Sequence, residues 1–204
     1  DAPAVIRELT TAITELGLHA IKFNANGYMT SPEPWDDGAY RPFWEAATSL
    51  RVPIFFSLST GPTGASWDDS SDARSGYLNE QRILIRWMER YPDNVCSITH
   101  GLPYRSFLAG NKIVLPDAIW APFQNPNLSI EVSFPVRIGD MFDFPYREVI
   151  PTIEAMVEHI GADHLLWGTD MPFQNRFCTY QQSRAHIEKY CTSLSPEQLD
   201  QIVG

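Results

Sequence analysis

The stretch VPIFFSLS (52–59) sets Ile54, Phe55 and Phe56 side by side with no polar residue between them. A strand with one wet face alternates apolar and polar residues. A strand covered on both faces, as in a parallel sheet, reads as an unbroken apolar run. The flanks support a parallel sheet. Before it, YRPFWEAATSL (40–50) has helical spacing. After it, NEQRILIRWMERYPD (79–93) sets Ile83, Trp87 and Arg90 along one face and stops at Pro92. Further upstream, Val5, Ile6, Leu9, Ile13 and Leu16 recur at three- and four-residue intervals and Gly17 follows, which predicts a helix over 3–16. A strand, AIKFNAN (20–26), comes next. Downstream the pattern repeats, with strands in NVCSITHG (94–101), NLSIEVSFP (127–135) and DHLLWGTD (163–170). A helix, EVIPTIEAMVEHIG (148–161), precedes the last of these. Ser195 with Gln198 three residues on starts a final helix. The region 101–127, broken by Pro103, Pro116 and Pro122, reads as a lid or irregular connection.

Helices alternating with short apolar strands mean an α/β fold with a parallel sheet, either doubly wound or closed as a (β/α)8 barrel. Five strands are visible, where a barrel has eight and usually about 250 residues. The chain therefore reads as one domain over 1–204 with open sheet edges. Those edges are expected to pair with further strands, in a homo-oligomer or with a partner chain that completes a barrel.

With 44% apolar residues and a formal net charge of −10, the chain is an ordinary globular protein. Its charge disfavours nucleic acid or an anionic membrane surface as partner and says little else. Cys96, Cys178 and Cys191 are odd in number and lack C-x-x-C spacing, so neither a disulfide framework nor a structural zinc site is indicated. A reducing, cytoplasmic setting follows. The first residues lack the pattern of a signal peptide, and no apolar run approaches a membrane span.

Each strand delivers polar groups at its end: Lys22 and Asn24, Ser57 and Ser59, His100, Glu131 and Ser133, and finally Asp170. Unpaired buried polar groups are costly, so several at one sheet edge should satisfy one another, a metal or a substrate. His100 beside Gly101 and Asp170 before Met171 and Pro172 can each simply cap a turn. Together they offer a neutral nitrogen and a hard oxygen, a mixed set that suits zinc or manganese. Lys22 can neutralise carboxylates or bind a substrate carboxylate. His19, His159, His164 and His186 read as structural, with His159 and His186 on solvent-facing helix positions. Trp87 reads as core. Trp35, Trp67 and Trp120 fall in loops, where packing or an aromatic-lined pocket can use them.

The segments VCSITHGLP, NLSIEVSFP and above all HLLWGTDMPFQNRFCTYQQS resemble the second half of the amidohydrolase-related family of metal-dependent barrels. That family contains hydrolases and non-oxidative decarboxylases of aromatic and muconate-type acids. The resemblance implies a TIM barrel represented by roughly its last five strands. It makes Asp170 a catalytic residue and metal ligand and His100 the acid–base residue. The implied cofactor is a divalent metal, zinc with manganese as the alternative. The family's first-strand ligands have no counterpart here, and Ser57 stands where its middle-strand His is expected. The implied substrate is a small aromatic or unsaturated carboxylic acid, with Lys22, Ser57, Arg105 and Trp120 as binding residues and Arg137 compatible with the same role. Two functions remain: a metal-assisted hydrolase or decarboxylase, or a non-catalytic or metal-free homologue that serves binding or assembly.

Overall fold

The computed structural model describes residues 2–25, 34–58 and 71–204. Its strands are β1 (Ile21–Asn24), β2 (Ile54–Ser57), β3 (Cys96–Ile98), β4 (Leu108–Ala109), β5 (Lys112–Ile113), β6 (Leu128–Val132) and β7 (Leu165–Trp167). The helices are α1 (Ala2–Thr14), α2 (Arg41–Ser49), α3 (Ser71–Arg90), α4 (Phe134–Ile138), α5 (Ile150–Ile160), α6 (Tyr180–Tyr190) and α7 (Pro196–Val203).

Five strands form one sheet in the order β1-β2-β3-β6-β7, every pair parallel. Each new strand adds to the same edge. A doubly wound sheet reverses its order at a switch point, and no reversal occurs here, so the winding is that of a barrel. Right-handed crossovers then put the helices on one face. Among the described residues, β1 and β7 pair with no strand on their outer sides.

The register sorts the side chains into rows. Ile21, Ile54, Cys96 and Leu128 stand level, as do Phe23, Phe56, Ile98, Ile130 and Leu165. These rows face the helices and, apart from partly buried Phe23, are buried. The rows between them point the other way: Lys22, Phe55, Ser97 and Ser129, then Asn24, Ser57 and Glu131 with Leu166. Strand β2 therefore alternates, with Ile54 and Phe56 buried and Phe55 and Ser57 half-buried, rather than being covered equally on both sides. The helix-facing core of β1 and β2 is aromatic. Trp44 lies 4.7 Å from Phe23, 5.7 Å from Phe56 and 5.3 Å from Trp87 between ring centroids. Its indole N–H donates to the Trp35 carbonyl, and the Trp35 indole donates to Glu80 at 2.8 Å. The buried Asp36 carboxylate accepts both arms of the Arg86 guanidinium, which ties the β1–α2 connection to α3.

Helix α3 begins at Ser71, well before the 79–93 read from periodicity. The connection after His100 has no long α-helix, as its prolines require, but folds into the β4–β5 hairpin between two 3-10 helices, Tyr104–Phe107 and Asp117–Gln124. Helices α4 and α6 escaped the periodicity reading. Helix α6 carries a capping box, Thr179 with Gln182, that the sequence does display. No described helix is long and apolar enough to cross a membrane.

Trp44 is fully buried and touches four aromatic rings besides Trp87. Trp44→Ala is expected to lower unfolding free energy by about 3–5 kcal/mol, measured by urea denaturation. A loss below about 1 kcal/mol would show that this cluster is not core packing.

Candidate active site

His100 and Asp170 both lie just past strand ends, on β3 and β7, at the C-terminal edge of the sheet. Each has left-handed backbone, with φ of 65° and 51°. A non-glycine residue in that region costs about 1–3 kcal/mol and is kept where the surroundings hold it. The turn at His100 aims its imidazole across the edge. Nε2 lies 3.5 Å from Asp170 Oδ1 on one side and 3.4 Å from Lys22 Nζ on the other. Nδ1 faces two hydroxyls, Thr99 Oγ1 at 3.3 Å and Ser57 Oγ at 3.5 Å, which are themselves 2.8 Å apart.

The main chain of His100 is also held. Its N–H donates to Glu131 Oε2 at 2.8 Å, and its carbonyl accepts from Arg137 Nε at 2.9 Å. Ser133 Oγ donates to the same Glu131 oxygen at 3.5 Å. Burial, above all, pushes the His100 imidazole down to about 4. The Lys22 and Arg137 cations push the same way, while the Asp170 carboxylate opposes them. The ring is therefore neutral at pH 7. Burial also lowers Arg137 from its ordinary value.

The structure thus brings His100, Asp170, Lys22 and Ser57 together. It does not bring Arg105 or Trp120 to them. Arg105 is spent on the Asp140 carboxylate and the Arg137 carbonyl. Trp120 stacks on His159, with centroids 4.6 Å apart, in the last turn of α5 where that helix leads back to the start of β7. That places it at the opposite edge of the sheet. His186 is buried rather than solvent-facing, and its Nδ1 lies 2.7 Å from the Pro145 carbonyl. Ser59 and Trp67 lie outside the described residues. Thr99 and the backbone contacts of Glu131 and Arg137 were not read from the sequence, because they depend on the turn at His100. An open cleft of about 840 Å³, lined by Glu45, Arg51, Tyr91 and neighbours, lies at the strands' N-terminal edge and holds none of these groups.

Among the described residues, no three His, Cys, Asp or Glu side chains converge to hold a metal ion. Asp170 and His100 give two donors, one fewer than a catalytic zinc takes from protein, and the Lys22 ammonium flanks His100 Nε2. The described residues by themselves do not fit a metal.

The chain belongs to the amidohydrolase family, whose model matches residues 1–204. No curated protein matches its sequence. Among solved structures it is similar to 2,6-dihydroxybenzoate decarboxylase from Rhizobium, with TM-score 0.65, 20% identity, and 99% of this chain on 65% of that one. A dihydroxybenzoic acid decarboxylase from Polaromonas, crystallised with manganese and the inhibitor 2-nitroresorcinol, gives TM-score 0.61 at 22% identity over 99% and 63% of the two chains. A 5-carboxyvanillate decarboxylase from Novosphingobium aromaticivorans, also with manganese, gives TM-score 0.62 at 17% identity over 99% and 58%. With the family match, these similarities establish a TIM-barrel fold of the amidohydrolase type, and the chain spans between 58% and 65% of each relative's length.

The His100 pKa has a stability consequence. Between its folded value of about 4 and its ordinary 6.5, the unfolded chain binds a proton there that the folded chain does not. The contribution is full above pH 6.5 and is lost as pH falls to about 4, amounting to at most roughly 3 kcal/mol. His100→Gln is expected to flatten this part of the curve, seen as a smaller stability difference between pH 7 and pH 4.5 in urea unfolding. An unchanged difference would mean that His100 is not desolvated.

Proposed function

We propose that this chain supplies the acid–base groups of an amidohydrolase-type enzyme that removes carbon dioxide, without oxidation, from a small aromatic or unsaturated carboxylic acid. The observation that carries the reading is the neutral His100 imidazole held between an ammonium and a carboxylate at the C-terminal edge of a barrel-type sheet. The relatives named above, which are decarboxylases of hydroxylated benzoic acids, support the substrate class.

Lys22 is a compact point charge on the exposed side of the cluster and binds the substrate carboxylate. That anion offsets one of the two cations that add to burial in keeping His100 neutral, so binding raises the proton affinity of Nε2. In the chemical step the bond from ring carbon to carboxylate breaks and its electron pair stays on the carbon. That carbon takes a proton while carbon dioxide leaves. The imidazole, charged by a proton taken from solvent when the acid anion binds, delivers that proton from Nε2 to the carbon and returns to its neutral form, while the Asp170 carboxylate 3.5 Å away steadies the imidazolium. Ser57 and Thr99 hold the far nitrogen and so fix the ring plane.

Two manganese-bearing relatives bring a divalent metal into the reading, with zinc as the other candidate, and Asp170 as the residue of this chain suited to it. With only two donors among the described residues, proton transfer is assigned to His100 and Asp170 without such an ion. The same count favours a second reading, a homologue that binds the acid without turnover.

Asp170→Asn separates the readings. With dihydroxybenzoates as candidate substrates, assayed for both carbon dioxide release and hydrolysis, turnover is expected to fall by roughly two orders of magnitude or more with little change in melting temperature. Full activity in the Asn variant would remove Asp170 from the mechanism. Absence of turnover in the parent protein, with retained binding of the acid, would favour the second reading.

A further inference from the structure

His100 lies beyond the last paired residue of its strand, because the β3–β6 register ends at Ile98 opposite Ile130. No ladder bond holds its main chain in the left-handed region. Two charged side chains from one short segment do so instead. Glu131, at the C-terminal end of β6, takes the N–H at 2.8 Å, and Arg137, on α4, gives its Nε to the carbonyl at 2.9 Å. Bonds with one charged partner are roughly twice as strong as neutral ones.

The neighbourhood leaves room for this arrangement. A Cβ on Gly168 would lie 3.0 Å from Ser133 Oγ and 3.3 Å from the Glu131 carboxyl carbon. A Cβ on Gly101, itself at φ 70°, would lie 2.8 Å from the Tyr104 hydroxyl oxygen and 3.0 Å from the Glu131 carbonyl oxygen. Both glycines let the backbone approach the Glu131 segment closely.

We infer that Glu131 and Arg137 form a two-point clamp on the His100 backbone that positions the imidazole between Lys22 and Asp170 for proton transfer. They are positioning residues, since their contacts are to the His100 main chain and not to its ring. The purpose of the clamp rests on the function proposed above, while the clamp itself rests on geometry alone. A displacement of about 1 Å in a reacting group costs around a hundredfold in rate. The clamp therefore acts on kcat more than on KM.

The test reads the His100 amide directly. In protein labelled with 15N-histidine, the His100 signal is the one that disappears in His100→Gln. Its amide proton is expected to be shifted downfield and to exchange slowly. In Glu131→Ala exchange is expected to accelerate about tenfold or more, while the signals of His159 and His164 stay in place. Glu131→Gln, which keeps an acceptor oxygen, is expected to recover most of the protection. With an active acid in hand, Glu131→Ala is expected to lower kcat by roughly a hundredfold at nearly constant KM, and Gln to restore much of it.

If Glu131→Ala does not fold, Gly168→Ala carries the test, because its methyl crowds the Glu131 carboxyl group and should speed the same amide. An unchanged His100 amide in the folded variant overturns the clamp. A changed amide with unchanged kcat overturns its positioning role. A wild-type protein that turns over no acid counts against the proposed function and leaves the amide result standing.

Discussion

Everything at the candidate site depends on the parallel register of five short strands. Because neighbours are level, one row faces the helices and the next faces away, and the rows facing away carry Lys22, Ser57 and Glu131. A slip of one residue in any strand would exchange a buried Ile or Phe for one of these polar groups. The apolar rows thus fix where the polar ones stand. Burial of the aromatic cluster around Trp44 and the register of the strands that carry the chemistry are parts of one constraint.

On that scaffold the site is an electrostatic balance. His100 loses solvation, which favours the neutral ring, and it sits between a cation and an anion of opposite effect. Desolvation and the cations outweigh Asp170, so the ring is neutral in the free protein. A carboxylate ligand beside Lys22 adds a second anion and moves the balance towards the imidazolium form. Under the proposed function, an acid anion binding at Lys22 would thus draw a proton onto His100. A cavity lined only by neutral polar groups would not behave in this way.

Much of this was legible in the residues. The apolar runs and helical spacings located all five strands of the sheet and the helices between most of them. The polar residues at strand ends named Lys22, Ser57, His100, Glu131 and Asp170 as neighbours. The sequence pattern left doubly wound and barrel sheets open, and strand order decided between them. Other features were hidden for physical reasons. Helix α4 is a single short turn set by its surroundings, and α6 lacks a clear apolar periodicity, its start marked only by the Thr179–Gln182 cap. Arg105 and Trp120 carried chemistry suited to an aromatic acid, but their partners Asp140 and His159 come from later in the chain. The sequence marked His100 and Asp170 as turn formers, but not that both turns are left-handed, since neither residue type requires it.

Isothermal calorimetry of benzoate binding at pH 5.5, repeated in buffers of different ionisation enthalpy, counts the protons exchanged on binding. The account predicts net proton uptake by the parent protein and none by His100→Gln, with affinity strongly reduced in Lys22→Met. Binding with no proton uptake, or with the same uptake in His100→Gln, would contradict a neutral His100 that charges in response to a carboxylate at Lys22.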